Sequence, residues 1–204
     1  AGQAFSFVIT LDSVGPWPPI SESHVEMDGA WALYEAWVKI QTGAIDTALV
    51  YSYGKSSPGD LRAVLSRQLD PYYLAPLWPD SVALAALQAR ALLDAGIETE
   101  RDWAEVAARS RRSAEDNPRA QLRGSPDPDD LLADDFVVAP LRRHACPPIT
   151  DGAAAVVLAA GDAAGRLCER PAWIRGLDHR IDAQNLGVRD LTTSPSTTMA
   201  AQRA

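Results

Sequence analysis

The feature that most constrains this sequence is a helix-length segment that runs into a glycine and then into a strand-length apolar run. Residues 28–42 carry apolar side chains at helical spacing, with Asp28 placed to cap the helix and Gly43 placed to end it. Residues 46–53 form a nearly continuous apolar run, which is typical of a strand covered on both faces. A helix and a doubly covered strand in succession predict an α/β protein.

The same alternation continues along the chain. Pro-, Gly- and Asp-rich segments at 54–80 and 119–133 predict irregular structure, the second with a short helical turn. The remaining predicted elements are helices over 82–95, 100–115 and 195–204 and strands over 153–159 and 172–180. The chain begins at Ala1 within an apolar stretch and ends at Ala204 inside a predicted helix, so we expect it to be part of a longer protein.

Charge argues against a nucleic-acid-binding protein. The formal net charge is −8, and no basic stripe is present that could displace counterions from phosphates. A dense basic cluster, Arg109-Ser110-Arg111-Arg112, falls within a predicted helix. It is either a solvated helix face or a contact for a phosphorylated cofactor such as coenzyme A, and both readings stay open.

Cysteine and histidine content bears on compartment and metal binding. Two cysteines, Cys146 and Cys168, do not make a disulfide framework, so we expect a cytoplasmic protein. The three histidines are scattered and show no metal-ligand spacing, so no metal site is predicted. No apolar run reaches the length of a membrane span.

Several blocks of sequence carry a resemblance to a known family. The resemblance rests on the turn–helix–strand unit from His24 to Tyr53, on 80–118, on Cys146-Pro147-Pro148-Ile149-Thr150-Asp151-Gly152-Ala153-Ala154-Ala155, and on Ala172-Trp173-Ile174-Arg175-Gly176. These blocks resemble the thiolase superfamily, in particular its sterol-carrier-protein-x branch and the actinobacterial lipid-transfer proteins. Some relatives in that branch act in steroid side-chain degradation.

The resemblance implies a thiolase-like αβαβα layered α/β fold that is incomplete in this chain. Residues 1–53 and 151–166 would form part of the N-terminal thiolase half. Residues 54–150 would form the loop domain that covers the acyl-CoA site in this family. Residues 167–204 would begin the C-terminal half.

Glu26 is the candidate catalytic residue that the resemblance implies. Thiolases place their reactive cysteine in a Cys-x-x-Gly turn before a central helix; Gly29 matches that glycine, and the cysteine position falls on Glu26. A carboxylate does not replace a thiolate in acyl transfer, because that step depends on thiolate nucleophilicity. It can act as a general base on a β-hydroxyl group. A charge that satisfies backbone amides at the turn is the alternative.

His24 and Asp28 flank Glu26 and complete the set of predicted catalytic residues. A histidine beside carboxylates is suited to proton transfer, since its pKa lies near neutrality. A hydrogen-bonded structural histidine is the alternative for His24.

The coenzyme A contacts are predicted by the resemblance to lie in the block before the last strand of the N-terminal half. They are Cys146, Pro148, Thr150, Asp151 and Gly152. A turn that leads into a buried strand would also explain Asp151 and Gly152, and the two roles are compatible. Coenzyme A would enter as part of the substrate, and no covalently bound cofactor is expected.

The resulting functional prediction is an acyl-CoA enzyme that cleaves a carbon–carbon bond of a CoA thioester. A retro-aldol reaction in steroid or lipid side-chain degradation is favoured, because the nucleophilic cysteine is replaced. Two alternatives stay open: an acyltransferase with an unrecognised nucleophile, and a non-catalytic scaffold that binds acyl-CoA or a partner. The resemblance also implies a homodimer and a small zinc-ribbon/OB-fold partner protein.

Overall fold

The computed structural model describes residues 13–15, 17–25 and 28–204. The described helices are α1 (Gly29–Gln41), α2 (Leu61–Ser66), α3 (Ser81–Asp94), α4 (Glu100–Ser113), α5 (Pro128–Leu132), α6 (Gly161–Leu167) and α7 (Pro195–Arg203). The described strands are β1 (Thr47–Lys55), β2 (Phe136–Val138), β3 (Leu141–Arg142) and β4 (Asp151–Ala159). Short 3-10 turns lie at Ala75–Leu77, Arg143–Ala145 and Leu186–Val188.

The chain divides into two compact units. Unit 1 comprises Ala1–Gly59 and Thr150–Ile174, and unit 2 comprises Asp60–Ile149 and Arg175–Ala204. None of the helices among the described residues is long and apolar enough to cross a bilayer.

Helix α1 begins and ends as its sequence predicts. The Asp28 carboxylate accepts hydrogen bonds from the backbone N–H groups of Ala30 and Trp31 at 3.0 and 3.2 Å, which satisfies donors that have no partner within the helix. At the other end Gly43 has a φ of +70°, a left-handed conformation that glycine adopts without a steric penalty. The predicted helix over 28–42 is therefore confirmed.

Unit 1 is built on the antiparallel pair β1–β4. Its register runs from Thr47 opposite Ala159 to Lys55 opposite Asp151. Helix α1 crosses β1 so closely that a Cβ atom on Gly29 would lie 2.8 Å from the Cβ of Ser52. Gly29 is thus required by the close packing of α1 against β1.

Two sequence predictions about strands need correction. The strands at 46–53 and 153–159 are confirmed, but they are not covered on both faces: Val157, for example, is 67% exposed. Helix α1 contacts both strands and α6 contacts β4, and together they leave much of the pair open.

The strand predicted over 172–180 is wrong, because these residues have no regular secondary structure. Local polar bonds compete with a strand ladder there. The Asp178 carboxylate accepts from the backbone N–H of His179 at 2.8 Å and from Arg180 at 2.9 Å.

Unit 2 packs through small side chains on two helices. In one cluster Ala86 and Ala89 of α3 meet Leu141 of β3. In the other, Ala104 and Ala108 of α4 meet Leu131 of α5. Alanine at these contacts lets the helices approach their neighbours closely.

Arg142 fastens the β2–β3 hairpin to the start of α4. Its Nε donates to Glu100 Oε2 at 2.9 Å, its Nη1 donates to the Asp134 carbonyl, and its guanidinium lies 4.0 Å from the centre of the Phe136 ring. One planar cation therefore satisfies a carboxylate, a carbonyl and an aromatic face at once.

The segment 54–80 is more ordered than its composition predicts. It contains α2, and the buried Ser66 Oγ lies 2.9 Å from the carbonyl oxygens of both Arg62 and Pro79. Arg62 also pairs with Asp80 at 3.3 Å. These contacts close the loop between α2 and α3, so the prediction of irregular structure throughout is corrected.

Gly29→Ala should destabilise the protein. The new methyl group meets Ser52, and overpacking of this kind typically costs about 1–3 kcal/mol. The measurement is the free energy of unfolding in urea. Gly165→Ala in α6 is the control, because its new Cβ meets nothing within 4 Å.

Adding Ser52→Gly to Gly29→Ala should recover part of the loss, since it removes the atom that clashes. A double-mutant cycle measures this coupling. Strictly additive effects would contradict the assigned contact.

Candidate functional site

Unit 1 contains a concavity beside the start of α1. The concavity has a volume of about 700 Å³, and the candidates His24 and Asp28 both line it. Other lining residues include Ser23, Gly29, Glu35, Lys39, Tyr51 and Tyr53. Glu26, the predicted base, lies outside the described residues. The structure thus brings two of the three candidates to one cavity, and the catalytic roles stay predictions.

Asp28 has a structural task at this turn. Its Oδ1 atom accepts the two amide hydrogen bonds that cap α1. These two bonds to backbone amides hold the carboxylate in one orientation. Asp28 therefore caps α1 whatever further role it has.

A polar triad that the sequence did not reveal holds the chain leading into the turn. Ser23 Oγ donates to Glu35 Oε1 at 2.7 Å, and Lys39 Nζ lies 2.9 Å from both of those oxygen atoms. The hydrogen bonds from Ser23 and Lys39 lower the pKa of the Glu35 carboxyl. Because Glu35 and Lys39 lie on α1, the triad anchors the segment that carries His24 to this helix.

Unit 2 contains a separate apolar cleft, with a volume of about 720 Å³. Its apolar lining includes Ala89, Leu92, Trp103, Val106, Leu141, Cys146, Pro147 and Pro148. Its polar lining is Gln88, Glu98, Ser110, Arg111 and His144. A mostly apolar cavity with a few polar groups is typical of a small-molecule site.

Cys146 lines this cleft as a thiol. Burial raises the pKa of the Cys146 thiol, with a smaller opposing effect from Arg62. The thiolate is the nucleophilic form of cysteine, so the environment disfavours attack by Cys146 at neutral pH. Its position beside Pro148 suits it to forming the cleft wall.

His144 presents one fixed tautomer to the cleft. Its Nδ1 atom lies 3.0 Å from the Leu131 carbonyl oxygen. Because a carbonyl only accepts hydrogen bonds, Nδ1 carries the proton in the neutral ring and Nε2 is the acceptor. Two other residues that line the cleft are also hydrogen-bonded: the Trp103 indole N–H donates to Glu98.

The remaining coenzyme A candidates lie in unit 1, where β4 begins. Thr150 precedes the strand, Gly152 pairs with Gly54, and Asp151 bonds to Ser57. Asp151 Oδ1 accepts from the Ser57 N–H at 2.9 Å, and Oδ2 accepts from the Ser57 hydroxyl at 2.5 Å. Asp151 therefore ties the loop after β1 to the start of β4, which matches the turn reading of this residue.

No metal site is evident in the part of the chain that the structure describes. Residues 13–15, 17–25 and 28–204 contain no group of three or more His, Cys, Asp or Glu side chains arranged to hold an ion.

Comparison with solved structures identifies the fold. The chain superposes on the structure described as "Ltp2-ChsH2(DUF35) aldolase" with a TM-score of 0.70 and 21% sequence identity. The match covers 86% of this chain and 48% of that one. The chain therefore has an α/β, thiolase-like fold, as its sequence predicts.

Sequence comparison points in the same direction. The chain is 27% identical to a protein named acetyl-CoA acetyltransferase from Methanothermobacter thermautotrophicus, over 91% of this chain and 50% of that protein. It spans about half the length of the relatives that it matches. No protein-family model matches it.

Ser57→Ala should raise the pKa of the Asp151 carboxyl toward its ordinary value. The Ser57 hydroxyl is the largest of the interactions that lower this pKa, followed by the Ser57 amide, which the substitution leaves in place. Carboxyl chemical shifts followed through an acid titration measure the effect. Ser56→Ala is the control, because Ser56 contributes through its backbone.

The lowered pKa of Asp151 also determines in which direction the stability of the protein changes with pH. A carboxyl whose pKa is lower in the folded state stabilises the protein above its unfolded pKa, and this stabilisation is lost as the pH falls through the folded value. Ser57→Ala should therefore reduce the acid sensitivity of unfolding. An unchanged Asp151 pKa would contradict the assigned hydrogen bond.

Proposed function

We propose that this chain is part of a thiolase-like acyl-CoA enzyme that cleaves a β-hydroxyacyl-CoA by a retro-aldol reaction. The fold shared with an aldolase and the similarity to an acetyl-CoA acetyltransferase support this class of chemistry. The observation that carries the proposal is the cysteine distribution. Within these 204 residues no cysteine precedes Cys146, and burial raises the pKa of the Cys146 thiol, which disfavours its thiolate further. A retro-aldol reaction needs no covalent acyl-enzyme.

The proposed reaction assigns Glu26 as the general base. Its carboxylate takes the proton of the β-hydroxyl group, and the electron pair of that O–H bond forms the new carbonyl. The bond between Cα and Cβ breaks, and its electrons pass into the enolate of the CoA thioester. Hydrogen-bond donors at the thioester oxygen stabilise the enolate, and protonation at Cα releases the shortened acyl-CoA.

We assign the thioester and pantetheine arm to the apolar cleft of unit 2. Cys146 and Pro148 form part of the wall, while His144 Nε2 offers an acceptor to the amide N–H groups of the arm. Thr150, Asp151 and Gly152, at the start of β4, are proposed as coenzyme A contacts of unit 1. Under this proposal 54–150 is the loop domain of the acyl-CoA site.

The solved structure that shares this fold also suggests with which partners the protein assembles. The solved aldolase is described as a pair of proteins, Ltp2 and ChsH2(DUF35). We propose that the protein containing this chain also works with a small zinc-ribbon/OB-fold partner, as a homodimer, on steroid or lipid acyl-CoA side chains.

Acyl transfer is the second candidate, favoured by the name of the sequence relative. It would require a cysteine nucleophile, and Cys146 is the one that lines a described cavity. Cys146→Ser separates the two reactions, because transfer by this thiol would stop while retro-aldol cleavage would continue.

Glu26→Gln in a protein that carries this chain should slow cleavage of a β-hydroxyacyl-CoA by at least about 100-fold, the lower end of what a general base contributes. Chromatography of the shortened acyl-CoA and the carbonyl product measures the rate. Acyl-CoA binding should persist, since the amide preserves the shape of the side chain. Full activity in Glu26→Gln, or an acylated Cys146 in the wild-type protein, would overturn the proposal.

Acyl-CoA should protect Cys146 from alkylation. Iodoacetamide reacts with thiolates, so Cys146 should react slowly at neutral pH, and more slowly when a ligand fills the cleft. Peptide mass spectrometry gives the extent of labelling at each cysteine. Cys168 is exposed and is the internal control, with labelling independent of ligand. Equal labelling of Cys146 with and without acyl-CoA would exclude binding along this wall.

A further inference from the structure

A second concavity adjoins the apolar cleft within unit 2. We call it the amide compartment; its volume is about 470 Å³. Its polar lining is Gln68, Asp70, Gln88, Gln184, Asn185 and Arg189. Ala85 and Gln88 of α3 line both this compartment and the apolar cleft, so the two share one wall.

At Ala85 only a methyl side chain separates the amide compartment from the apolar cleft. Ala85 and Gln88 lie three residues apart, which places them on one ridge of α3. Alanine adds a single methyl group to that ridge, and this residue is exposed. A flexible chain seated in the apolar cleft can therefore cross at Ala85 into the amide compartment.

Arg189 supplies the positive charge of the compartment. Its Nη2 atom donates to the Gln88 side-chain oxygen at 3.4 Å, which is a long contact to a neutral acceptor. Among the described residues, no carboxylate lies within ion-pair distance of Arg189. The guanidinium is thus able to bind an incoming anion.

The neighbouring carboxylates have other hydrogen-bond donors. Asp70 Oδ1 accepts from the backbone N–H groups of Tyr72 and Tyr73 at 2.7 and 3.1 Å. Asp190 Oδ1 accepts from the amide and hydroxyl of Thr192 at 2.8 and 2.7 Å. The carboxamides beside Arg189 add neutral donors that can complete the solvation of a carboxylate.

We propose that the amide compartment binds the distal end of an acyl group that terminates in a carboxylate. This inference rests on the proposed function, because it places the CoA thioester in the apolar cleft and the acyl chain across Ala85. It deepens that function by naming a substrate class, the CoA thioesters of ω-carboxylated acyl chains. Arg189 is then a specificity-determining residue that contacts the substrate.

The test compares the binding of a twelve-carbon acyl-CoA with that of its counterpart ending in a carboxylate, measured by calorimetry on a protein that carries this chain. The carboxylate-ended ligand should bind roughly 10- to 100-fold more tightly, the range that a hydrogen bond to a charged group provides. Arg189→Gln should abolish the preference and leave the methyl-ended ligand unaffected. Arg90→Gln is the matched control, with the same charge change on an exposed part of α3.

Ala85→Phe tests the path independently. A phenyl ring on the shared wall should block the crossing and reduce the preference, while Arg189 stays intact. If Arg189→Gln does not fold, Ala85→Phe still tests the proposal.

The possible outcomes distinguish failure of this inference from failure of the proposed acyl-CoA function on which it rests. If both ligands bind the wild-type chain equally, the amide compartment is not the acyl terminus site, and the proposed function stands. If Arg189→Gln weakens the binding of both ligands equally, the anionic group that Arg189 binds is a phosphate of coenzyme A. The inference is then overturned. If neither ligand binds, the acyl-CoA function fails and this inference fails with it.

Discussion

The close approach of α1 to β1 at Gly29 is the contact on which unit 1 depends. A side chain at that position would collide with Ser52, so glycine is what allows the helix to lie against the sheet. Asp28 then caps the helix one residue earlier, and Ser23 ties the incoming chain to Glu35 and Lys39. The start of α1 is therefore held by packing and by a cap, and the described segment that carries His24 is held by a polar triad. A scaffold held in this way keeps its geometry without help from the residues that perform the chemistry.

The electrostatic surroundings of Cys146 support the proposed retro-aldol reaction over acyl transfer by this thiol. A thiolase-type nucleophile must be a thiolate, and a thiolate needs a polar or positively charged environment. Cys146 is half-buried in an apolar wall, which raises its pKa and leaves it as a thiol. The base that we propose, the Glu26 carboxylate, would instead take a proton from a hydroxyl group, which needs no thiolate. The proposed reaction therefore does not need Cys146 to act as a thiolate.

Local signals in the sequence predicted the helices well, and long-range contacts explain what the sequence could not reveal. Asp28 and Thr99 act within one turn of their own positions, so the starts of α1 and α4 could be predicted from adjacent residues. Arg142 reaches Glu100, and Ser57 reaches Asp151, across 42 and 94 positions, and neither pairing has a local sequence pattern. The prediction of a strand at 172–180 was wrong because it rested on apolar content, which gives no information about the competing hydrogen bonds of Asp178. Cys146 and Pro148, predicted as coenzyme A contacts, line the apolar cleft, and that role stays a prediction. His144 and Trp103 were missed because their positions in the cavity depend on the packing of three separate segments.

Hydrogen–deuterium exchange with and without a twelve-carbon acyl-CoA tests most directly whether unit 2 holds the CoA thioester. The account predicts slower exchange of the backbone amides of His144, Ala145 and Cys146, and of the cleft-lining turns of α4, with α7 unchanged. These amides border the cavity, so a bound pantetheine arm should restrict the local opening that permits exchange. Protection confined to other parts of the chain, or no protection at saturating ligand, would contradict the account.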